Sequence, residues 1–387
     1  MEVVPEDLQP VQMLDFARQY AGLRDEIVAA VTRVLDSQQF ILGPAVESFE
    51  RTAATTCHVA HAAGCSSGTE ALWLALVAAG IGPGDSVITT PFSFFATVSA
   101  ILRAGAQPLL ADIDPATFNL SATHVEGVLR KRRGSAIKAI LPVHLYGQCA
   151  DWDAFIALKD RDSLLLIEDA AQAFGGTWRG TPAGALGDVA AFSFYPTKNL
   201  SAVGDAGLVT TQSADLDERL RMLRAHGMRQ RYYHDEVGWN SRIDAIQAAV
   251  LEVKLHHLPA WNAQRQRLAK RYDALFHAAG LAASSTAEGV VLPFTDPRGT
   301  HVFHQYTIRA PRRDDLRAYL SSLRIGSEIY YPLPLHEQTS LASLGYRQGD
   351  FPISELAANE VLSLPMYPEL RDDEQDTVVE AIRRFYA

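Results

Sequence analysis

Cysteine is scarce: the 387-residue chain has three, Cys57, Cys65 and Cys149. An odd number at wide spacing excludes a disulfide framework and offers no structural zinc site. Long apolar runs are missing as well. The longest, residues 71–81, has about half the length a bilayer span needs. No Gly-Lys dipeptide occurs, which excludes a phosphate-binding P-loop, and no HExxH occurs. His58-x-x-His61 and His301-x-x-His304 have helical spacing but suggest no cysteine or carboxylate partner, so they are assigned to packing or the surface and no metal is expected. Positive charge is in deficit: the net charge is −10, which disfavours a nucleic-acid duplex or a membrane surface as partner. Glu2, Glu6, Asp7 and Asp15 make the N-terminus unlike a signal peptide. With 48% hydrophobic and 21% charged residues, the composition is that of an ordinary globular protein; the reduced thiols and the acidic N-terminus lead us to expect a cytoplasmic one. At about 100–200 residues per domain, two domains are expected.

What is present is alternation. The segment from Asp15 to Asp36 has helical spacing, with Phe16, Tyr20, Leu23, Ile27, Val31 and Val34 on one face. Beyond it, strand-length apolar runs (86–90, 108–112, 137–143, 164–169, 189–194 and 207–211) alternate with helix-length segments (69–79, 95–104, 122–132, 151–159 and 214–225). Such alternation predicts a mainly parallel sheet between helices, an α/β domain with its ligand beyond the carboxyl ends of the strands. A long helix over 243–276 leads to a smaller α+β part. That part holds a strand at 304–310, a helix at 314–323, the Pro-rich Ile329–His336 and a closing helix at 372–386. The division is placed as 1–252 and 253–387.

Two residues carry the chemistry. Asp169 ends the run Leu164–Asp169, and Lys198 follows the run Val189–Phe194. A lysine and an aspartate, each at the end of a buried strand, suggest pyridoxal 5'-phosphate: the amine forms an imine with the cofactor aldehyde, and the carboxylate keeps the pyridine nitrogen protonated. Burial would lower the lysine pKa and free a nucleophilic amine. Three clusters extend the reading. Cys65-Ser66-Ser67-Gly68-Thr69-Glu70 is a hydroxyl-rich turn entering a helix, either an anion site or a plain N-cap. Phe92, Phe94 and Phe95 follow a strand; one ring could stack on a flat cofactor, with core packing expected for at least two of the three. Gln172, three residues after Asp169, could reach the same ring near its phenolic oxygen. His144, after the strand 137–143, is a further candidate to face the site.

These clusters, in this order, resemble the DegT/DnrJ/EryC1/StrS sugar aminotransferases, pyridoxal-phosphate enzymes of the aspartate-aminotransferase-like fold type I. The likeness runs from Phe40-Ile41-Leu42-Gly43-Pro44 to Leu364-Pro365-Met366-Tyr367-Pro368. It rests on Ser67-Gly68-Thr69-Glu70-Ala71-Leu72, Glu168-Asp169-Ala170-Ala171-Gln172, Ser193-Phe194-Tyr195-Pro196-Thr197-Lys198-Asn199-Leu200 and Gly238-Trp239-Asn240-Ser241-Arg242. The resemblance implies a seven-stranded sheet in the large domain. It implies Lys198 as imine-forming lysine and proton shuttle, Asp169 at the ring nitrogen, Gln172 at the ring oxygen and Phe94 as the stacking ring. Ser67, Gly68, Thr69 and Ser193 would grip the phosphate. Asn240 would reach the phosphate of a neighbouring subunit, which implies a homodimer.

The activity implied is amino transfer, from L-glutamate through pyridoxamine phosphate, to a keto group of a dTDP- or UDP-linked deoxyhexose. In related dehydratases a histidine replaces the lysine, so Lys198 favours transamination. Tyr330-Tyr331-Pro332 stands where many relatives have His-Tyr-Pro, a form that looks like members acting at a 3-keto position rather than a 4-keto one. Tyr330, Tyr331, His336 and His144 are expected around the sugar. Elimination on the same cofactor and a non-catalytic regulator that binds it are the competing readings. A nicotinamide enzyme lacks its glycine-rich βα turn here.

Overall fold

A computed structural model describes residues 9–132 and 136–387. Glu2, Glu6 and Asp7 lie outside them. Seven strands form the central sheet: β1 (His61–Cys65), β2 (Ser86–Thr89), β3 (Gln107–Leu110), β4 (Ile137–Ile140), β5 (Leu165–Asp169), β6 (Val189–Ser193) and β7 (Gly207–Thr211). Their order is β1-β7-β6-β5-β4-β2-β3, and β7 alone runs antiparallel to the others. The expected strands are present, each within a few residues. β1 has no counterpart among the sequence-derived runs, because His-Ala-Ala-Gly-Cys lacks the branched and aromatic residues that mark a strand.

Helices cover both faces, as parallel strands require. On one side lie α3 (Gly68–Ala78), α4 (Ala96–Arg103) and α7 (Ala214–Leu223), in a core with Trp73, Leu76, Val87 and Ile101. Helix α3 is apolar all round and nearly all buried, as a helix wedged between a sheet and other helices must be. On the other side, α2 (Pro44–Thr56) and α6 (Trp152–Asp162) share a core with Phe49, Phe155, Phe192 and Phe194. Helix α1 (Phe16–Ser37) is capped by Asp15, whose carboxylate accepts from the amides of Ala17 and Arg18. Its Leu23 and Ile27 pack on Val250, whereas Phe16 and Tyr20 are exposed.

Helix α8 (Ala245–Ala278) joins the two parts of the molecule. Its Leu251, Leu255 and Leu258 belong to the large core, and its Leu268, Tyr272 and Phe276 to the core of the small part. That second core surrounds an antiparallel pair, β8 (Tyr306–Arg309) and β9 (Val361–Leu364), with α9 (Arg313–Ser322), α10 (Pro352–Glu360) and α11 (Asp372–Tyr386). Val11 joins it by pairing with Ile325.

The alternation of side chains along β5 separates two adjacent carboxylates. Asp169 points to the end of the sheet where the candidate site lies. Glu168 points away and is fully buried, and it accepts from the amides of Gly184 (2.7 Å), Leu186 (2.9 Å) and Gly187 (2.8 Å) and pairs with His144 Nε2 (3.1 Å). Replacing Glu168 by Ala strands one buried and two partly buried amides, at about 1–3 kcal/mol each. Chemical denaturation should therefore show Glu168→Ala less stable by at least about 3 kcal/mol; a midpoint like the parent's would contradict this reading of β5.

Candidate active site

β5 and β6 are parallel neighbours, with Asp169 opposite Ala191. Asp169 closes the one and Ser193 the other, and the turn 195–200 follows with Lys198. Both chemical residues thus meet at the carboxyl ends of parallel strands, where open α/β sheets bind ligands.

Asp169 is 3% exposed. Its Oδ2 accepts from Thr97 Oγ1 at 2.7 Å and its Oδ1 from the Ala171 amide at 3.3 Å. Thr97 is held in turn by Ser93 at 2.8 Å. No cation lies within ion-pair distance of the carboxylate among the described residues. Burial raises its pKa, against the Thr97 and Ala171 hydrogen bonds and the nearby Lys198 charge. A buried carboxylate with two donors and no cation is matched to an incoming positive group. Lys198 answers it: burial pushes its amine down to about 8, against the attraction of Asp169.

Ser67 caps α3, its Oγ accepting from the Glu70 amide at 3.2 Å. The other first-turn amides have no partner within the helix, and with the helix dipole they favour an anion. Gly68 places this turn against Ser193: a Cβ on Gly68 would lie 2.4 Å from Ser193 Cβ. Thr69 is exposed beside it. Ser67, Gly68, Thr69 and Ser193 are therefore brought together, and the N-cap and anion-site readings hold at once.

Of the three phenylalanines only Phe92 is in the core. Phe94 is 59% exposed and Phe95 is also exposed, which corrects the expectation that at least two would be core residues. Phe94 starts the turn that leads into α4, and Thr97 follows one helical turn later. The Phe94 ring lies 6.3 Å from that of Tyr331.

Gln172 links the two parts of the molecule. Its Oε1 accepts from the Tyr146 amide at 2.6 Å, and its Nε2 donates to the Tyr331 hydroxyl at 3.0 Å. Burial keeps the Tyr331 phenol well above its ordinary pKa, with Asp169 adding to the effect. It therefore stays protonated, with its own O–H free to donate. Tyr330 is half-buried, and its carbonyl accepts from the Tyr146 hydroxyl. Asn240 is exposed; its Oδ1 accepts from Arg242 at 2.8 Å, next to Ser241, whose carbonyl takes the Ser66 amide ahead of α3.

Two histidines depart from expectation. His144 is fully buried beneath the site: its Nδ1 accepts from the Ala150 amide, its Nε2 pairs with Glu168 and its ring packs on Trp152. It has no atom left for a sugar. His336 is buried too, its Nε2 bound to Glu355 at 3.0 Å and its ring against Phe351. It fastens the loop before α10 and does not line the pocket. With Glu337 and Glu355 it forms a group within metal-ligand reach. Glu355 Oε1 is already committed to His336 and the amides of Gly349 and Phe351.

Sequence reasoning missed Thr97, the donor to Asp169, and Tyr146, which holds both Gln172 and Tyr330. Thr97 was detectable by its spacing of three from Phe94, which puts both on one face at a helix start.

The chain matches the DegT/DnrJ/EryC1/StrS aminotransferase family over residues 22–383. It is 48% identical to the "pleiotropic regulatory protein" of Geobacillus stearothermophilus, over 97% of this chain and 98% of that one. It is 44% identical to the dTDP-3-amino-3,4,6-trideoxy-alpha-D-glucose transaminase of Streptomyces venezuelae, over 97% of this chain and 96% of that one. The crystal structure of S. venezuelae DesV in complex with ketimine intermediate superposes with a TM-score of 0.92 at 43% identity, covering 97% of this chain and 98% of that chain. The protein belongs to the DegT/DnrJ/EryC1/StrS aminotransferases, and its fold is theirs. No helix among the described residues is long and apolar enough to cross a membrane.

Thr97→Val keeps the shape of the side chain and removes the shortest hydrogen bond to Asp169. A hydrogen bond to a charged group contributes about 1.5–3 kcal/mol, so titration with pyridoxal phosphate should show affinity falling roughly ten- to a hundredfold. Unchanged affinity would mean that Asp169 does not hold the cofactor.

Proposed function

We propose that this enzyme is a pyridoxal-phosphate-dependent aminotransferase that carries an amino group from L-glutamate to the 3-keto carbon of a dTDP- or UDP-linked deoxyhexose. The observation that carries the reading is the pair at the ends of β5 and β6: a desolvated amine on Lys198 and a buried carboxylate on Asp169 without a cation of its own. The residues present fit the cofactor. Asp169 supplies the counter-charge for a protonated ring nitrogen. The start of α3 with Ser67, Gly68, Thr69 and Ser193 offers an anion cradle, and Phe94 leaves an exposed aromatic face. Gln172 and Tyr331 form the polar edge between the two parts.

Bound here, pyridoxal phosphate supplies an aldehyde that carries the nitrogen and a ring that accepts the electron pair left when a proton departs. The chain supplies the rest. Lys198, with its amine poised near neutrality, accepts the proton from the α-carbon of the donor and later returns one to the sugar carbon that receives nitrogen. Asp169, steadied by Thr97, holds positive charge at the ring nitrogen throughout. Tyr331, kept protonated, offers its hydroxyl hydrogen to an oxygen in the site.

A homodimer is part of the same reading. Phe40, Ile41, Tyr232, Tyr233 and Val237 are large, apolar and exposed. They lie on segments beside Asn240, whose side chain would reach a second subunit's phosphate cradle. The 3-keto preference is supported by Tyr330-Tyr331-Pro332 and by the similarity to the Streptomyces transaminase. Elimination chemistry is less well supported, because Lys198 stands where related dehydratases have histidine.

L-glutamate alone, added to the loaded enzyme, should convert the cofactor to pyridoxamine phosphate with one 2-oxoglutarate released per site. The aminated enzyme should then turn over 3-keto sugar nucleotides faster than 4-keto ones. No 2-oxoglutarate, or a faster reaction with 4-keto sugars, would overturn the donor or the position respectively.

A further inference from the structure

The turn between β2 and α4 carries a hydroxyl that the chemistry so far leaves without a task. Ser93 and Thr97 stand four residues apart where this turn runs into α4, and they are 3% and 0% exposed. Their hydroxyl oxygens lie 2.8 Å apart, and Thr97 Oγ1 donates to Asp169 Oδ2 at 2.7 Å. A hydroxyl has one hydrogen to give. That of Thr97 is spent on the carboxylate, so the hydrogen between the two hydroxyls comes from Ser93. The three groups form a chain with one direction: Ser93 O–H to Thr97 O–H to Asp169. Ser93 has no hydrogen bond to the carboxylate itself.

The support of this chain is fixed on both sides of Ser93. Thr90 Oγ1 accepts from the Phe92 amide at 3.0 Å, and the Pro91 carbonyl accepts from the Leu335 amide of the small part at 2.7 Å. Beyond Ser93, the Thr97 amide donates to the Phe94 carbonyl at 3.2 Å. Two physical effects then give the outer hydroxyl a consequence at Asp169. A threonine at a helix start can turn its hydroxyl back to a carbonyl three or four residues earlier, here that of Phe94 or Ser93. The bond from Ser93 holds the Thr97 oxygen in place and occupies one of its lone pairs, which leaves the Thr97 hydrogen for Asp169. Hydrogen bonds in series also polarise one another, and more so where water is excluded. Burial opposes the charge on Asp169, and the Thr97 bond is the first of the interactions that favour it.

We propose that Ser93 is a positioning residue for the cofactor: acting through Thr97, it fixes and strengthens the hydrogen bond that prepares the Asp169 carboxylate for a protonated ring nitrogen. This rests on the reading of Asp169 as the partner of that nitrogen. It also gives the turn 91–97 two tasks at once. Phe94 turns outward with an exposed ring, and the residues on either side of it, Ser93 and Thr97, turn inward to the carboxylate.

The test is a double-mutant cycle on the full-length protein, read as equilibrium binding of two probes. One is pyridoxal phosphate; the other is 1-deazapyridoxal phosphate, which has a C–H group in place of the ring nitrogen. Ser93→Ala should lower the affinity for pyridoxal phosphate about two- to tenfold, the loss expected for one neutral hydrogen bond. It should leave the affinity for the deaza compound unchanged, because that ring makes no use of the carboxylate. Placed on Thr97→Val, Ser93→Ala should cause no further loss, since the link it acts through is already gone. Equal losses for the two probes would mean a plain structural role and overturn the proposal. So would a loss that adds in full to that of Thr97→Val, or no loss at all. Failure of the underlying reading shows itself differently: the parent protein would then bind the two probes equally well, and the proposal would fall with it.

Discussion

The structure is organised around a buried carboxylate, Asp169, that no cation among the described residues meets at ion-pair distance, although the Lys198 charge lies nearby. Asp169 sits at the end of β5 with a threonine hydroxyl and one backbone amide as its donors. A carboxylate in that position is unfavourable by several kcal/mol unless it is protonated or joined by a cation. The pyridinium of a B6 cofactor is such a cation, and its charge is what the chemistry requires. Much of the surrounding architecture reads as a means of bringing the cofactor's other parts into register with this one carboxylate. In the proposed reading the start of α3 would receive its phosphate and Phe94 would offer a face, while Lys198 approaches from the next strand.

The fold makes that register possible in a specific way. Parallel neighbours β5 and β6 end side by side, so Asp169 and the turn bearing Lys198 emerge at the same edge without a long loop. Strand alternation sends Glu168 the other way, where three amides and His144 absorb its charge. Two adjacent carboxylates thus have opposite duties because a strand has a period of two. The small part closes the arrangement through several polar links, among them the path from Tyr146 to Gln172 to Tyr331.

What the sequence made legible follows from these constraints. Buried strands are written in branched and aromatic residues, so β2 to β7 stood out, as did Asp169 and Lys198 at their ends. β1 did not, because alanine and glycine carry no strand signal, and its place is set by pairing with β7. Histidines were the weakest signal. His144 follows a strand just as Asp169 ends one, yet its ring turns into the core to serve Glu168, and no local pattern records that turn. The family resemblance suggested which residues would contact the cofactor, but it could not say that His336 is consumed by Glu355.

One measurement tests the centre of this account most directly. The protein is loaded with pyridoxal phosphate, treated with borohydride, digested and sequenced by mass spectrometry. The account predicts the phosphopyridoxyl mass on the peptide carrying Lys198, in about one copy per chain, and its loss in Lys198→Ala. Label on another lysine, or a bound cofactor that borohydride leaves unattached, would contradict it.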